Sequence, residues 1–356
     1  LNQIAAAATR RALADAGRNI VALAGDQKNK VADALTSAES EVLGLRGSGV
    51  RSSATPLSAL IPDVLKTLES RKAGELLGLS SGLASLDDAN GGLKEQELVI
   101  IAARPGMGKS VLALQMARDI AARDGRCYFA SYEMSGTELT ARLLSREIQA
   151  PAQAILRNDL DLDANLRLAD AARALSQVDL VVDDAPPSDV TGLVAHIRSQ
   201  HARSPFTAVF VDYLQLIDGR GTSRVEQITY VSRQLKLLAV ALGIPVVALS
   251  QLSRNLESRP DKRPILSDLR DSGAIEQDAN QVLAIYRPSL YESDADDADA
   301  ELLVLKNRSG VPGITVKTEF HGAWSLFRDI GSAATKTVRT ALASGGGGWG
   351  GNTSPF

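Results

Sequence analysis

Six short apolar runs leave this chain few folds to choose from. They occupy residues 98–102, 127–131, 180–182, 208–211, 246–249 and 282–286, and helical stretches separate them. Runs of that length with no polar face read as strands buried on both sides. Strands that alternate with helices pair in parallel. The sequence therefore predicts an α/β fold, a mostly parallel sheet with helices on both faces. Three further runs, 302–305, 314–320 and 324–327, follow one another closely and read as an antiparallel end. The acidic, Ala-rich segment 292–301 before them reads as a solvated loop.

The first run leads into Ala103-Arg104-Pro105-Gly106-Met107-Gly108-Lys109-Ser110, and a helix-like stretch, 111–122, follows. Strand, glycine loop, Lys-Ser, helix is the order a phosphate cradle requires. Loop N–H groups and the helix N-terminus converge on one point there. Arg104, Pro105, Gly106, Met107, Gly108, Lys109 and Ser110 are therefore candidates for holding a nucleoside triphosphate. In such a loop Lys109 reaches the outer phosphates and the Ser110 hydroxyl ligates Mg²⁺. The pattern usually opens on Gly, and Ala103 holds that place here. Ala has less backbone freedom, so the loop is expected to enter with negative φ.

Ligands of an open parallel sheet sit outside the carboxyl ends of its strands. Three of the runs end there in residues suited to triphosphate chemistry: Glu133, Asp212 and Gln251. Asp212 is the candidate second ligand of Mg²⁺. Glu133 is the candidate general base for the attacking water. Gln251 is placed to hydrogen-bond the terminal phosphate or that water. Lys306 and Arg308, two apart on an expected strand, share a face. Either they keep an edge strand solvated, or they offer cations to a neighbour's triphosphate.

Composition bounds what remains. A length of 356 residues suggests about two domains. Aromatics make up 4%, so the core must be aliphatic. The single cysteine, Cys127, excludes a disulfide framework and a cysteine zinc site, and fits a reducing compartment. No apolar run approaches a membrane span, and no signal peptide is recognisable. The net charge of -3 argues against a broad basic surface, so any nucleic-acid contact must be a local patch or a channel. Residues 4–16, 20–23 and 31–45 have helical spacing, 44–55 is a Gly/Ser/Arg linker, and 57–71 is helical again. The glycine-rich 344–356 is expected to be disordered. The first residue is Leu1, so the sequence reads as a fragment.

These segments together resemble the RecA-type ATPase domain of the DnaB family of replicative DNA helicases. The matching residues, in the family's order, are Gly91-Gly92-Leu93, the phosphate loop from Ala102, Tyr132-Glu133-Met134-Ser135, Val211-Asp212-Tyr213-Leu214-Gln215-Leu216 and Leu249-Ser250-Gln251-Leu252-Ser253-Arg254. Asp261-Lys262-Arg263-Pro264, the block Ser267 to Asp278 and Lys306-Asn307-Arg308-Ser309-Gly310 complete the set. The block Asp268-Leu269-Arg270-Asp271-Ser272-Gly273-Ala274-Ile275-Glu276-Gln277-Asp278 is far more specific than the phosphate loop. Family members also open that loop with Ala.

The resemblance divides the chain into a remnant of the N-terminal region with a linker helix (1–46), a flexible linker and helix (47–74), the ATPase domain (75–330) and a tail (331–356). The family's globular N-terminal domain would precede Leu1. The resemblance further implies a ring hexamer with ATP and Mg²⁺ between subunits. Lys306 and Arg308 match the cations that reach a neighbour's ATP, and a linker helix, assigned to 31–45, docks on that neighbour. Single-stranded DNA would thread the ring against Arg270, Asp271 and Gly273, with Arg220 and Arg224 as a second contact. Primase and a helicase loader are the implied partners, the cytoplasmic replication fork the implied location, and 5′-to-3′ unwinding the implied activity. Two rival readings are a non-translocating RecA-type ATPase and a nucleotide-binding scaffold for a loader or primase.

Overall fold

The computed structural model describes residues 2–25, 34, 37–38, 41, 55–70, 75–269 and 273–331. Two helices, α1 (Asn2–Gly25) and α2 (Leu57–Ser70), come first, then a short α3 (Ala84–Asn90). Strands and helices then alternate: β1 (Leu98–Ala103), α4 (Lys109–Arg123), β2 (Cys127–Ser131), α5 (Gly136–Ile148), α6 (Ala152–Arg157) and α7 (Leu162–Leu175). The order continues through β3 (Leu180–Asp183), α8 (Val190–Arg203), β4 (Ala208–Asp212), α9 (Arg224–Leu242) and β5 (Val246–Gln251). A short α10 (Gly273–Asp278) precedes β6 (Gln281–Tyr286), β7 (Asp299–Asn307), β8 (Ile314–His321) and β9 (Leu326–Asp329).

The strands form one sheet in the order β3-β2-β4-β5-β1-β6-β7-β8-β9. The first six pair in parallel and the last three antiparallel. Burial follows from that topology. Every residue of β1 is buried, because helices cover both faces, whereas β8 alternates between buried and partly exposed positions. Successive residues of a strand serve opposite faces. Thus Val99, Ile101, Phe129, Phe210 and Leu249 pack with α4 and α5. Their neighbours Leu98, Ile100, Tyr128, Val209 and Ala248 pack with α8 and α9.

Side chains lock the β9 edge of the sheet to the helices. The amide of buried Gln115 in α4 donates to the Phe327 carbonyl and accepts from the Phe327 N–H, both at 2.9 Å. Leu83 at the N-cap of α3 offers no capping side chain. The Asp329 carboxylate of β9 takes that role, accepting from the Ser85 N–H and hydroxyl at 2.7 Å each.

The parallel core and the antiparallel end agree with the sequence expectation, and four details differ. The stretches 4–16 and 20–23 are one continuous helix. The acidic loop is shorter than 292–301, because Asp299 to Glu301 pair with β8. Trp324 lies in a 3-10 turn, and its strand begins at Leu326. Asn307 ends β7, so Arg308 lies just past the strand. The stretch 31–45 and the tail 344–356 fall largely or wholly outside the described residues. No helix among the described residues is long and apolar enough to cross a membrane.

Candidate functional site: a triphosphate pocket at the sheet edge

The sheet order puts β2, β4, β5 and β1 side by side. Ala103 pairs with Gln251, and Ser131 pairs with Asp212, at the carboxyl ends of their strands. Ala103 continues β1 and is not among the positive-φ residues, so the loop enters as the sequence predicts. The loop then turns through Gly106 and Gly108, at φ 80° and 95°. Gly108 is the N-cap of α4, and its carbonyl accepts from the Leu112 N–H at 2.9 Å. The free N–H groups of the first helical turn thereby face the strand ends.

Lys109, the first residue of α4, points back across this edge. Its Nζ stands 3.5 Å from Asp212 Oδ1 and 4.0 Å from the centre of the Tyr213 ring. Burial pushes its pKa below the usual lysine value, against the pull of Asp212 and Glu133. Asp212 is fully buried, and neither carboxylate oxygen has a hydrogen-bond donor. A carboxylate left in that state, beside a phosphate loop and a Lys-Ser pair, fits a hard cation with oxygen ligands. No group of three or more His, Cys, Asp or Glu among the described residues would hold a metal unaided. Mg²⁺ here would depend on Ser110, Asp212 and phosphate oxygens, its usual manner in such sites.

Glu133 is presented by a closed turn. The Ser131 hydroxyl donates to the Met134 carbonyl at 2.7 Å and accepts from the Met134 N–H at 3.1 Å. The Tyr132 N–H donates to the Asp212 carbonyl at 2.8 Å, which ties this turn to β4. A capping box between Ser135 and Glu138 then starts α5. Gln251 is the exposed last residue of an otherwise buried strand. Its N–H donates to Gln215 Oε1 at 3.2 Å, while Gln215 Nε2 donates to the Ser250 hydroxyl at 3.0 Å.

The loop, Glu133, Tyr213 and Gln251 line one open cavity of about 680 Å³, within the usual range for small-ligand sites. Lys109, Ser110, Glu133 and Gln251 are thus brought together, with Asp212 beneath Lys109. Sequence reasoning passed over Tyr213, Gln215 and Arg287 as parts of this site. Arg287, at the end of β6, donates to the Gly106 carbonyl at 3.4 Å and lies 4.5 Å from the centre of the Phe320 ring. Burial lowers its pKa. Its place after an apolar run, like that of Glu133 and Asp212, was the available signal.

Other candidates stand elsewhere. Met107 is buried in the core. The Arg104 guanidinium turns from the loop toward Glu257, with Nε and Nη2 each 2.9 Å from Glu257 Oε1. Lys306 and Arg308 lie at the opposite edge of the sheet, where Asn307 pairs with Gln281 at the start of β6. They share a direction, as expected: Lys306 donates to the Glu276 carbonyl and Arg308 to the Gln277 carbonyl. These are the terminal carbonyls of α10, where cations are favoured. Exposed Arg220 stacks over Tyr230, and Arg224 donates to the Gln215 carbonyl. Gly273, at the start of α10, has no described residue outside its own helix and chain neighbours within 4 Å of where a Cβ would stand. Arg270 and Asp271 fall outside the described residues.

A loop cradle, a buried cation-carboxylate pair, an exposed carboxylate and an exposed amide suit hydrolysis of a nucleoside triphosphate. Comparison with known proteins leads to the same chemistry. The family described as "DnaB-like helicase C terminal domain" matches residues 78–329. The chain is 37% identical over 335 residues to "Replicative DNA helicase DnaB" of Leifsonia xyli subsp. xyli, covering 92% of this chain. It spans 73% of the length of that relative, and 60% of the like-named protein of Geobacillus stearothermophilus. Among solved structures, one described as an "ATPase Domain" superposes with TM-score 0.74 at 33% identity, covering 78% of this chain and all of that one. "The Structure Of A DnaB-Like Replicative Helicase And Its Interactions With Primase" superposes with TM-score 0.76 at 31% identity, covering 89% of this chain and 76% of that one.

Proposed function

This chain belongs to the DnaB family of replicative DNA helicases and carries the family's ATP-dependent helicase domain; from that premise we propose that it works as a ring-shaped motor on single-stranded DNA. The observation that carries this reading is the convergence of Lys109, Glu133 and Gln251 on one cavity, with buried Asp212 3.5 Å from the Lys109 ammonium. ATP phosphates sit in the 104–110 loop, against the first N–H groups of α4 and Lys109. Ser110 and Asp212 would hold Mg²⁺, which when bound would neutralise charge on the phosphates. Glu133 orients and deprotonates the attacking water, and its exposed position leaves it free to do so. Gln251 hydrogen-bonds the terminal phosphate, with its backbone held by Gln215.

Lys306 and Arg308 complete the site of an adjacent subunit. Their place at the far edge of the sheet from Lys109 supports action on a neighbour. Within the chain they rest on the carbonyls of α10, a resting place that is released or shared when subunits close. The exposed apolar stripe of α2, with Leu57, Leu60, Ile61, Val64, Leu65 and Leu68, supports docking of this helix on the next subunit. This docking is added to the linker-helix role expected of 31–45, a stretch largely outside the described residues. DNA passes along the loop 270–273, where main-chain contact needs the open face of Gly273. Arg220 and Arg224 supply further phosphate contacts. Six subunits, translocation 5′-to-3′ at the replication fork and contacts with a primase and a loader complete the reading.

Steady-state ATP turnover, measured with and without single-stranded DNA, tests it. Expected are a DNA-stimulated rate, forked-duplex unwinding, and a loss of about 10²-fold or more in Glu133→Gln, the scale of general-base catalysis. Turnover indifferent to DNA would replace this reading with a non-translocating ATPase. No turnover in either protein would leave a nucleotide-binding scaffold.

A further inference from the structure

Arg104 begins the phosphate loop and lines its pocket, while its guanidinium reaches Glu257 and Leu252. Nε and Nη2 converge on Glu257 Oε1 at 2.9 Å each, and Nη1 donates to the Leu252 carbonyl at 3.0 Å. Leu252 directly follows Gln251. Its N–H donates to the Ala103 carbonyl at 3.0 Å. Both backbone groups of Leu252 are therefore held by the strand end and loop that cradle the phosphates. The residue next to the candidate phosphate sensor is thereby hydrogen-bonded on both sides to that loop and strand end.

Glu257 continues the connection. It lies in the 3-10 helix Arg254–Ser258. Just beyond that helix, Arg259 grips Asp268 through both Nη atoms, at 3.1 and 2.8 Å. Asp268 is itself fixed: its carbonyl accepts from the Ser253 N–H at 3.0 Å and its Oδ2 from the Ile265 N–H at 2.8 Å. Leu269, buried in the core, follows, and then come Arg270 and Asp271. The segment from Ser253 to Leu269 is thus a small cross-braced unit. It touches the phosphate loop at one end and carries the DNA-loop positions at the other. Beside it lies a polar cavity of about 370 Å³, walled in part by Arg104, Gln215, Gln251 and Asp268.

We propose that the Arg104–Glu257 pair is the positioning contact that couples the ATP pocket to the DNA loop. The inference rests on the reading of 270–273 as the DNA contact. A change at the terminal phosphate reaches the braced unit through Arg104 as well as through Gln251. By reciprocity, DNA held at 270–273 biases the phosphate loop through the same pair. Glu257 is not among the residues that line the ATP cavity. It is half-exposed, at 46% of its side-chain surface, and exposed ion pairs contribute little to stability. Its geometry, two guanidinium donors on one oxygen, is its contribution.

The test compares wild type with Glu257→Ala and Glu257→Gln in the full chain. The kcat and KM for ATP are measured with and without single-stranded oligonucleotide, alongside thermal melting. The inference expects basal kcat and KM within about twofold of wild type. DNA stimulation should fall by roughly fivefold or more in Glu257→Ala, the low end of usual coupling factors. Glu257→Gln keeps an acceptor oxygen and should fall between the two. Full stimulation in Glu257→Ala overturns the inference. So does a parallel loss of basal and stimulated rates, which marks a merely structural role. A wild-type rate indifferent to DNA overturns the DNA-loop reading, and the coupling with it. Wild-type stimulation with unaltered variants sinks the coupling alone.

Discussion

Lys109 and Asp212 bind each other's fate at the level of single residues. Asp212 has no exposure and no hydrogen-bond donor, and the Lys109 ammonium 3.5 Å away is the cation placed against it. Removing one member of a buried ion pair strands the other charge. Lys109→Met should therefore lower unfolding free energy by about 3–5 kcal/mol, as well as abolish ATP binding. Lys109→Met/Asp212→Asn should regain most of that loss, since neither side chain is then charged. Urea denaturation of both variants decides it; a double variant no more stable than the single one would refute the pairing. The sequence made Glu133, Asp212 and Gln251 legible because each closes an apolar run beside the same loop. Tyr213, Gln215 and Arg287 were not, because their partners are neighbours only in the fold. Gln215 holds β5 from a turn that follows β4, and Arg287 reaches Gly106 from β6.

At the scale of elements, the two loop glycines differ in what surrounds them. Both have positive φ. A Cβ on Gly106 would meet nothing within 4 Å, while one on Gly108 would meet Phe320 and Phe327 ring carbons at 2.9 and 3.0 Å. Gly106→Ala should cost only backbone strain, about 1–2 kcal/mol. Gly108→Ala should add a packing cost of about 1–3 kcal/mol, because the two aromatics of β8 and β9 must retreat. Thermal unfolding with and without ATP separates them, and equal losses would contradict the close seat of α4 on β9. The same scale explains where sequence reading stopped. Buried strands with continuous apolar runs were found to within a residue or two. The start of β7 was missed, since Asp299 and Glu301 are polar and become strand only by pairing with Glu319 and Lys317. The stretches 4–16 and 20–23 join into one helix α1 across Gly17, since a glycine costs a helix only about 1 kcal/mol. Trp324 has strand propensity but sits in the 3-10 turn that lets β9 reverse.

For the whole molecule, what matters is that the sheet separates Lys109 from Lys306 and Arg308, the cations proposed to serve a neighbour. Lys109 sits at the carboxyl ends of the parallel strands, and β7 returns antiparallel to put Lys306 and Arg308 at the other edge. The turn beyond β7 is held there by a buried polar cluster. Ser309 Oγ donates to Glu97 Oε1 at 2.7 Å, Gln281 Nε2 donates to Glu97 Oε2 at 3.0 Å, and Asn307 Nδ2 donates to the Asn90 carbonyl at 3.1 Å. A turn so tied cannot swing to its own chain's pocket. The catalytic role proposed for Arg308 therefore calls for a second subunit in head-to-tail contact, the kind of contact that builds rings or helical filaments. Mixing two defective proteins tests this. Arg308→Ala keeps its own pocket but serves no neighbour, whereas Glu133→Gln has a dead pocket but serves its neighbour. Each alone should be nearly inactive. In a random one-to-one mixture of independent sites, about a quarter of the interfaces join an intact pocket to an intact Arg308, so the rate should recover toward that fraction. No recovery, in mixtures shown to exchange subunits, would mean that Arg308 does not act across an interface.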